Sequence, residues 1–199
     1  MRYKLIEFHG FEAAVLGMML SYGKTNYDSF DKPEDFTADI KRVSEKLAPM
    51  DGGHNKFLEQ IQYWIAIQAP LFWWKQFDTY RIGCSKSSES TMHKSWKKGL
   101  SQEHFEFSIY QETLDKLNAN IREYNSELTT SERKNELQNI IFNNLPDGYL
   151  QTRMVNINAK SLRNIYFQRS SHKLTEWRSF CKWIETLPCG NLITSRKQD

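Results

Sequence analysis

Residues 62–81 read QYWIAIQAPLFWWKQFDTYR, and this stretch sets the class of fold. Gln62 to Gln68 carries Tyr63, Trp64, Ile65 and Ile67, the aromatic and β-branched types that suit a pleated surface, so it reads as a strand. Pro70 has no N–H for a central ladder and ends that strand. Its fixed φ also suits the first position of a helix, so Leu71 to Tyr80 reads as a helix opening at the proline. A strand thus hands over to an aromatic helix that delivers Gln76, Tyr80 and Arg81 beside Ser85–Thr91 (SKSSEST), the most loop-like segment of the chain.

Working outward, Tyr3 to Phe8 reads as a strand and Phe11 to Leu20 as a short helix. Glu34 to Leu47 is an amphipathic helix with Phe36, Ile40, Val43 and Leu47 on one stripe. Phe107 to Leu128 and Ser131 to Asn143 read as two helices, the second starting with Thr130-Ser131-Glu132, where a hydroxyl can cap orphan N–H groups. Gly148 to Ile157 reads as a strand. Ala159 to Gln168 and Lys173 to Leu187 read as helices, the last with Leu174, Trp177, Cys181 and Ile184 on one face. Strands and helices mix without a regular β-α-β alternation, so the class is α+β. No Pro/Ser/Gly linker divides the chain, and a single domain over residues 1–199 is expected.

Composition narrows the function classes. The 199 residues are enough to build a core without staples, and 14% aromatics argue against disorder. No run of apolar residues is long enough for a membrane span. The formal charge of +3 is too small to imply nucleic acid, even with the Lys94–Lys98 run of bases around Trp96. Cys84, Cys181 and Cys189 are odd in number and form no C-x-x-C, so they read as reduced thiols. Met1 to Phe8 lacks a signal-peptide pattern, and a cytoplasmic protein is expected. The five histidines are dispersed, and no metal is expected. No G-x-G-x-x-G, P-loop, G-x-S-x-G or H-E-x-x-H occurs.

The second informative stretch is Asn158 to Arg169 (NAKSLRNIYFQR). Asn158 stands where a helix starts, Lys160 and Asn164 share a face at i, i+4, and Arg169 ends the helix. Together they make a donor set suited to a phosphate-bearing or heteroaromatic ligand. A capped, solvent-exposed helix is the plainer reading of the same residues.

At these two stretches the chain resembles the flavin-dependent thymidylate synthases, also called thymidylate synthase complementing proteins. Ala69 to Cys84 lies in ungapped register over sixteen positions with that family's A-P-[IL]-F-x-x-R-Q-[WL]-x-R-H-R-[IT]-[AG]-S. Phe57-Leu58-Glu59-Gln60 looks like the F-x-E-H that precedes the same strand. Leu145-Pro146 followed by Asn158-Ala159-Lys160-Ser161-Leu162 resembles L-P and N-x-R-[SA]-L at the same interval. Arg169 and Trp177 stand for the family's late Arg and tryptophan.

The resemblance implies a small, mostly antiparallel sheet flanked by helices, assembled as a homotetramer with sites at subunit junctions. It implies FAD as cofactor, with NADPH and methylenetetrahydrofolate as co-substrates, and transfer of a one-carbon unit to C5 of a deoxyuridine nucleotide. No protein nucleophile is needed, because the cofactor carries the chemistry and the protein supplies position and charge. It assigns Ser21, Glu59, Tyr80, Arg81, Asn158, Lys160 and Asn164 to the flavin. It assigns Gln76, Glu89, Ser90, Thr91 and His93 to the nucleotide, and gives Arg169 the catalytic role of polarising the uracil ring.

The chain also departs from the family pattern. Thr79-Tyr80-Arg81 stands for R-H-R, and the seventh residue after Arg81 is Glu89 rather than serine. His93 and Phe142 fall where two phosphate-binding arginines are expected. Each charge-assisted contact of that kind contributes on the order of 1.5–3 kcal/mol. Three readings follow: a thymidylate synthase or close variant, a related enzyme modifying a different pyrimidine nucleotide, and a non-catalytic descendant that keeps the scaffold.

Overall fold

The centre of the sheet is built from the two strands with the most buried residues. The computed structural model describes residues 1–23, 27–28, 37–50, 53–90 and 96–197. β1 (Arg2–His9), β2 (Gln62–Pro70), β3 (Cys84–Ser88) and β4 (Leu150–Asn158) form one antiparallel sheet in the order β1-β2-β4-β3. Main-chain bonds from Leu71 N to Tyr149 O and from Ala159 N to Ile61 O bracket the β2–β4 pair. Those from Asn158 N to Gly83 O and from Glu89 N to Thr152 O bracket β4–β3. In each pair residue numbers rise on one strand as they fall on the other, which is the antiparallel register. Eight α-helices accompany the sheet among the described residues: α1 (Phe11–Leu20), α2 (Thr37–Leu47), α3 (Leu71–Phe77), α4 (Gln111–Asn125), α5 (Ser131–Asn144), α6 (Ala159–Arg169), α7 (Thr175–Ile184) and α8 (Gly190–Thr194). The class is α+β, as the sequence implies.

The chain divides into two compact units. One comprises Met1–Arg2, Ile67–Thr79 and Ser87–Arg153. Its core is the α4–α5 hairpin closed over Trp96, whose ring meets Tyr124 and Phe142 edge-on at 5.1 and 6.3 Å. On α3, Trp73, Trp74 and Phe77 are fully buried, their ring centroids 4.9–5.5 Å apart. Arg153 is largely buried in this unit. It donates to both oxygens of Asp78 at 2.9 and 3.1 Å and lies 4.3 Å over the Trp74 ring.

The other unit comprises Tyr3–Ala66, Tyr80–Lys86 and Met154–Asp199. There the inward residues of β2 and β4 (Tyr63, Ile65, Val155 and Ile157) are buried, as are Leu162 and Ile165 of α6 and Trp177, Phe180 and Ile184 of α7. Arg163 ties α8 to α6 by donating to the carbonyls of Leu192, Ile193 and Ser195 at 3.4, 3.0 and 2.6 Å.

Several expected boundaries move, each for a local reason. β3 has four of its five residues in the stretch read as a loop. It is a serine-rich edge strand with no apolar alternation, and its partner β4 supplies the ladder. α3 stops at Phe77 instead of Tyr80 because the Thr79 hydroxyl takes the Gln76 carbonyl at 2.8 Å. α4 starts at Gln111 instead of Phe107, since both backbone groups of Ile109 are bonded to the Gln102 side chain. α7 is confined to Thr175–Ile184. The His172 ring accepts the Leu174 N–H at its start, and Thr186 donates to the Trp183 carbonyl at its end. Of the expected Glu34–Leu47 helix, residues 34–36 lie outside the described residues.

Candidate active site

α6 organises the site because both of its ends are pinned. At its start Asn158 has extended backbone, and its Oδ1 accepts the Ser161 N–H at 2.8 Å, so the residue is an N-cap. The Ser161 hydroxyl donates to Ile82 O at 2.7 Å and Asn158 N donates to Gly83 O at 3.0 Å, which stitches the Tyr80–Gly83 turn to the helix start. Lys160, Asn164 and Gln168 follow at i, i+4, i+8 on one face, away from buried Leu162 and Ile165. Lys160 Nζ pairs with Glu59 Oε1 at 2.6 Å, and Gln168 Nε2 donates to Asn164 Oδ1 at 2.8 Å.

Arg169 closes α6 at the end where the helix dipole favours a cation. Its Nε donates to the Tyr80 hydroxyl at 2.8 Å, and that hydroxyl donates to Gln168 Oε1 at 2.9 Å. The guanidinium carbon lies 4.8 Å from the Trp177 ring centroid and 5.7 Å from that of Tyr80. The two rings meet edge-on at 6.0 Å. Nearby, burial and the charges of Arg169, Arg178 and Lys173 hold the His172 imidazole below its ordinary pKa.

In the same unit a cleft of about 500 Å³ opens between α1 and the helical turn Lys56–Glu59. Ser21, His54, Lys56 and Gln60 give it polar walls, and Met18 and Phe57 give it apolar ones. The Ser21 hydroxyl donates to Met18 O at 2.8 Å. Arg81 is exposed.

Gln76, Glu89 and Ser90 belong to the other unit. Gln76 is half-buried on α3. Glu89 extends the β3 edge: its N–H and Oε2 bond Thr152 at 2.9 and 3.2 Å, and its carbonyl accepts from Gln151 at 2.8 Å. Ser90 is exposed. Thr91 and His93 lie outside the described residues. Phe142, at an expected arginine position, packs against Trp96.

The structure thus places Ser21, Glu59, Tyr80, Arg81, Asn158, Lys160, Asn164 and Arg169 in one unit, and links Tyr80 with Arg169 and Lys160 with Glu59 directly. Sequence reasoning missed Gln168, although its i+4 spacing from Asn164 marks it. It also missed His54 and Lys56, which no pattern marks. Among the described residues no group of three or more His, Cys, Asp or Glu side chains is arranged to hold a metal. None of the helices among the described residues is long and apolar enough to cross a membrane.

The class is an antiparallel α+β scaffold that sets a guanidinium among aromatic rings and amides at the end of one helix. The family can be stated more narrowly. The model of the thymidylate synthase complementing protein family matches residues 5–187, and the chain belongs to that family.

Solved structures share its fold. One is the flavin-dependent thymidylate synthase ThyX from Helicobacter pylori complexed with FAD and dUMP, 18% identical over 94% of each chain with a TM-score of 0.67. A second ThyX structure from that organism, also with FAD and dUMP, is 17% identical over 98% of this chain and 100% of that one, TM-score 0.68. The UMP/dUMP methylase PolB from Streptomyces cacaoi bound with 5-Br dUMP is 14% identical over 93% of this chain and 88% of that one, TM-score 0.63. A search of curated proteins gave no match.

Proposed function

We propose that the protein transfers a one-carbon unit from methylenetetrahydrofolate to C5 of a deoxyuridine nucleotide, with FAD as cofactor and NADPH as reductant. In this reading it works in the cytoplasm as a homotetramer. The observation that carries it is Arg169: one edge of its guanidinium is held by Tyr80, its face rests on Trp177, and its Nη end donates to no described residue.

The residues present fit a flavin. Amide, ammonium and guanidinium donors from Asn158, Asn164, Lys160 and Arg81 suit an anionic, heteroaromatic group, and the cleft at Ser21 mixes polar and apolar walls. FAD, when bound, supplies the redox chemistry and the relay of the one-carbon unit. Glu59, paired with Lys160, and Tyr80 complete the cofactor-facing set. Gln76, Glu89, Ser90, Thr91 and His93 contact the nucleotide. Arg169 holds its two Nη groups toward the uracil carbonyls and stabilises the negative charge that develops on the ring as C5 reacts. A guanidinium does this at any working pH because it does not deprotonate.

The test is the purified protein's absorbance and the release of tritium from 5-tritiated deoxyuridine monophosphate. A flavin band with tritium release, lost in Arg169→Ala, is expected. A colourless protein, or full activity in Arg169→Ala, refutes it and leaves the non-catalytic scaffold. One observation favours a second reading, an enzyme for a different pyrimidine nucleotide. Phe142 fills a core position where the family resemblance puts a phosphate-binding arginine. Bound flavin without tritium release, together with turnover of another uridine nucleotide, selects it.

A further inference from the structure

Arg169 has five N–H donors, and the structure shows what only one of them does. Its Nε–H points at the Tyr80 hydroxyl, 2.8 Å away. That hydroxyl has a single proton, and Gln168 Oε1, at 2.9 Å, is the acceptor for it. The Gln168 amide is oriented in turn, because its Nε2 donates to Asn164 Oδ1 at 2.8 Å. Since a guanidinium cannot accept, the series has one direction, with the tyrosine lone pair facing Arg169. The Trp177 ring, itself fully buried, fixes the plane of the guanidinium from one side. The Nη1 and Nη2 groups donate to no described residue.

We infer that Tyr80 is the positioning residue of Arg169: its hydroxyl locks the Nε edge, so that the forked Nη end is presented, already oriented, to the two-acceptor edge of a pyrimidine ring. This rests on the proposed function of Arg169 and goes beyond it. The resemblance makes Tyr80 a flavin contact, whereas the geometry spends its hydroxyl on the guanidinium. The chain carries tyrosine where its family resemblance expects histidine. A phenol extends farther from the backbone than an imidazole, and here its oxygen meets the end of α6. Pre-orientation is what an arginine needs to act in a transition state, because a free side chain must otherwise lose its rotamer freedom during reaction.

Tyr80→Phe tests this, since it keeps the ring against Trp177 and deletes only the hydroxyl. Two quantities are measured on the full-length protein with its flavin. The first is solvent exchange of the Arg169 Nε–H in ¹⁵N-arginine-labelled protein, and the second is the kcat and KM of tritium release. The expected result is exchange faster by about tenfold or more, with kcat lower by about ten- to a hundredfold and KM little changed. Exchange equal to the wild type overturns the inference, whatever happens to kcat, because Tyr80 then acts on something other than Arg169. If exchange accelerates but the wild type itself releases no tritium, the positioning role stands and the proposed reaction fails. Should Tyr80→Phe not fold, Gln168→Ala at an exposed side chain carries the same exchange measurement. Acceleration there supports the relay, and an unchanged rate overturns it.

Discussion

Gly83 is where a single added methyl group should strike the start of α6 directly. Its φ is +62°, in the left-handed region, and an added Cβ would sit on the Asn158 amide nitrogen, 2.8 Å from Asn158 Cγ and 2.9 Å from Ser161 Oγ. The neighbour cannot simply swing away, because the Asn158 side chain is 7% exposed as a residue and caps α6. For Gly83→Ala, left-handed backbone costs about 1 kcal/mol, and loss of the cap about 1 more. Disturbing a buried amide adds about 1–2 kcal/mol, for a total of about 3–4. For a chain of this length each kcal/mol lowers Tm by about 2–4 °C, so scanning calorimetry should show a drop of roughly 6–16 °C. Two controls separate the causes. Gly23 has φ +65° with nothing within 4 Å of an added Cβ, so Gly23→Ala carries only the backbone cost and should lose about 2–4 °C. Gly148 has neither feature, and Gly148→Ala should melt within about 1 °C of the wild type. If Gly83→Ala melts with Gly23→Ala, the contact between the turn and the cap of α6 is not what holds this region, and the reasoning is refuted.

Three further outcomes follow from the same structure. His172 is held below its ordinary pKa in the folded state, so the unfolded chain binds more protons as pH falls through about 6.5; stability should decline there, and His172→Gln should flatten the Tm-against-pH profile. Asp78→Ala leaves the largely buried Arg153 guanidinium with Gln151 and the Trp74 face alone. Because Asp78 is itself partly exposed, the urea midpoint should report a loss of about 1–2 kcal/mol. Burial pushes the Cys181 thiol up to about 12 and the Cys189 thiol up to about 11, so at pH 8 both should react with a disulfide reagent far more slowly than in urea-unfolded protein. Equal rates in the folded and unfolded states would show that neither thiol is shielded.

Much of the fold was legible because local signals agreed with one another. The run from Tyr63 to Pro70 and the turn into α3 come from residue types whose backbone preferences are strong. α1, α5 and α6 lie within a residue of their expected bounds, since each begins beside a capping residue or a proline-free apolar pattern. β3 was not legible. An edge strand of serines and a lysine carries no periodicity, and only its partner β4 makes it a strand. Nor was α8 legible. Five residues are too short for a pattern, and Arg163 holds the carbonyls of Leu192 and Ile193 from another helix.

The site divides in the same way. The sequence by itself determined that Asn158 caps a helix, that Lys160 and Asn164 share its face and that Arg169 ends it, because these are consequences of 3.6 residues per turn. Family membership was likewise readable from two motifs and their spacing. Only the tertiary structure decided that the Tyr80 hydroxyl meets Arg169, eighty-nine positions later, that Trp177 lies beneath the guanidinium, and that Glu59 answers Lys160. These contacts join segments far apart in the chain. Nothing in the local preferences of either segment encodes them, and they exist because the buried faces of β2, β4, α6 and α7 fit together in one way.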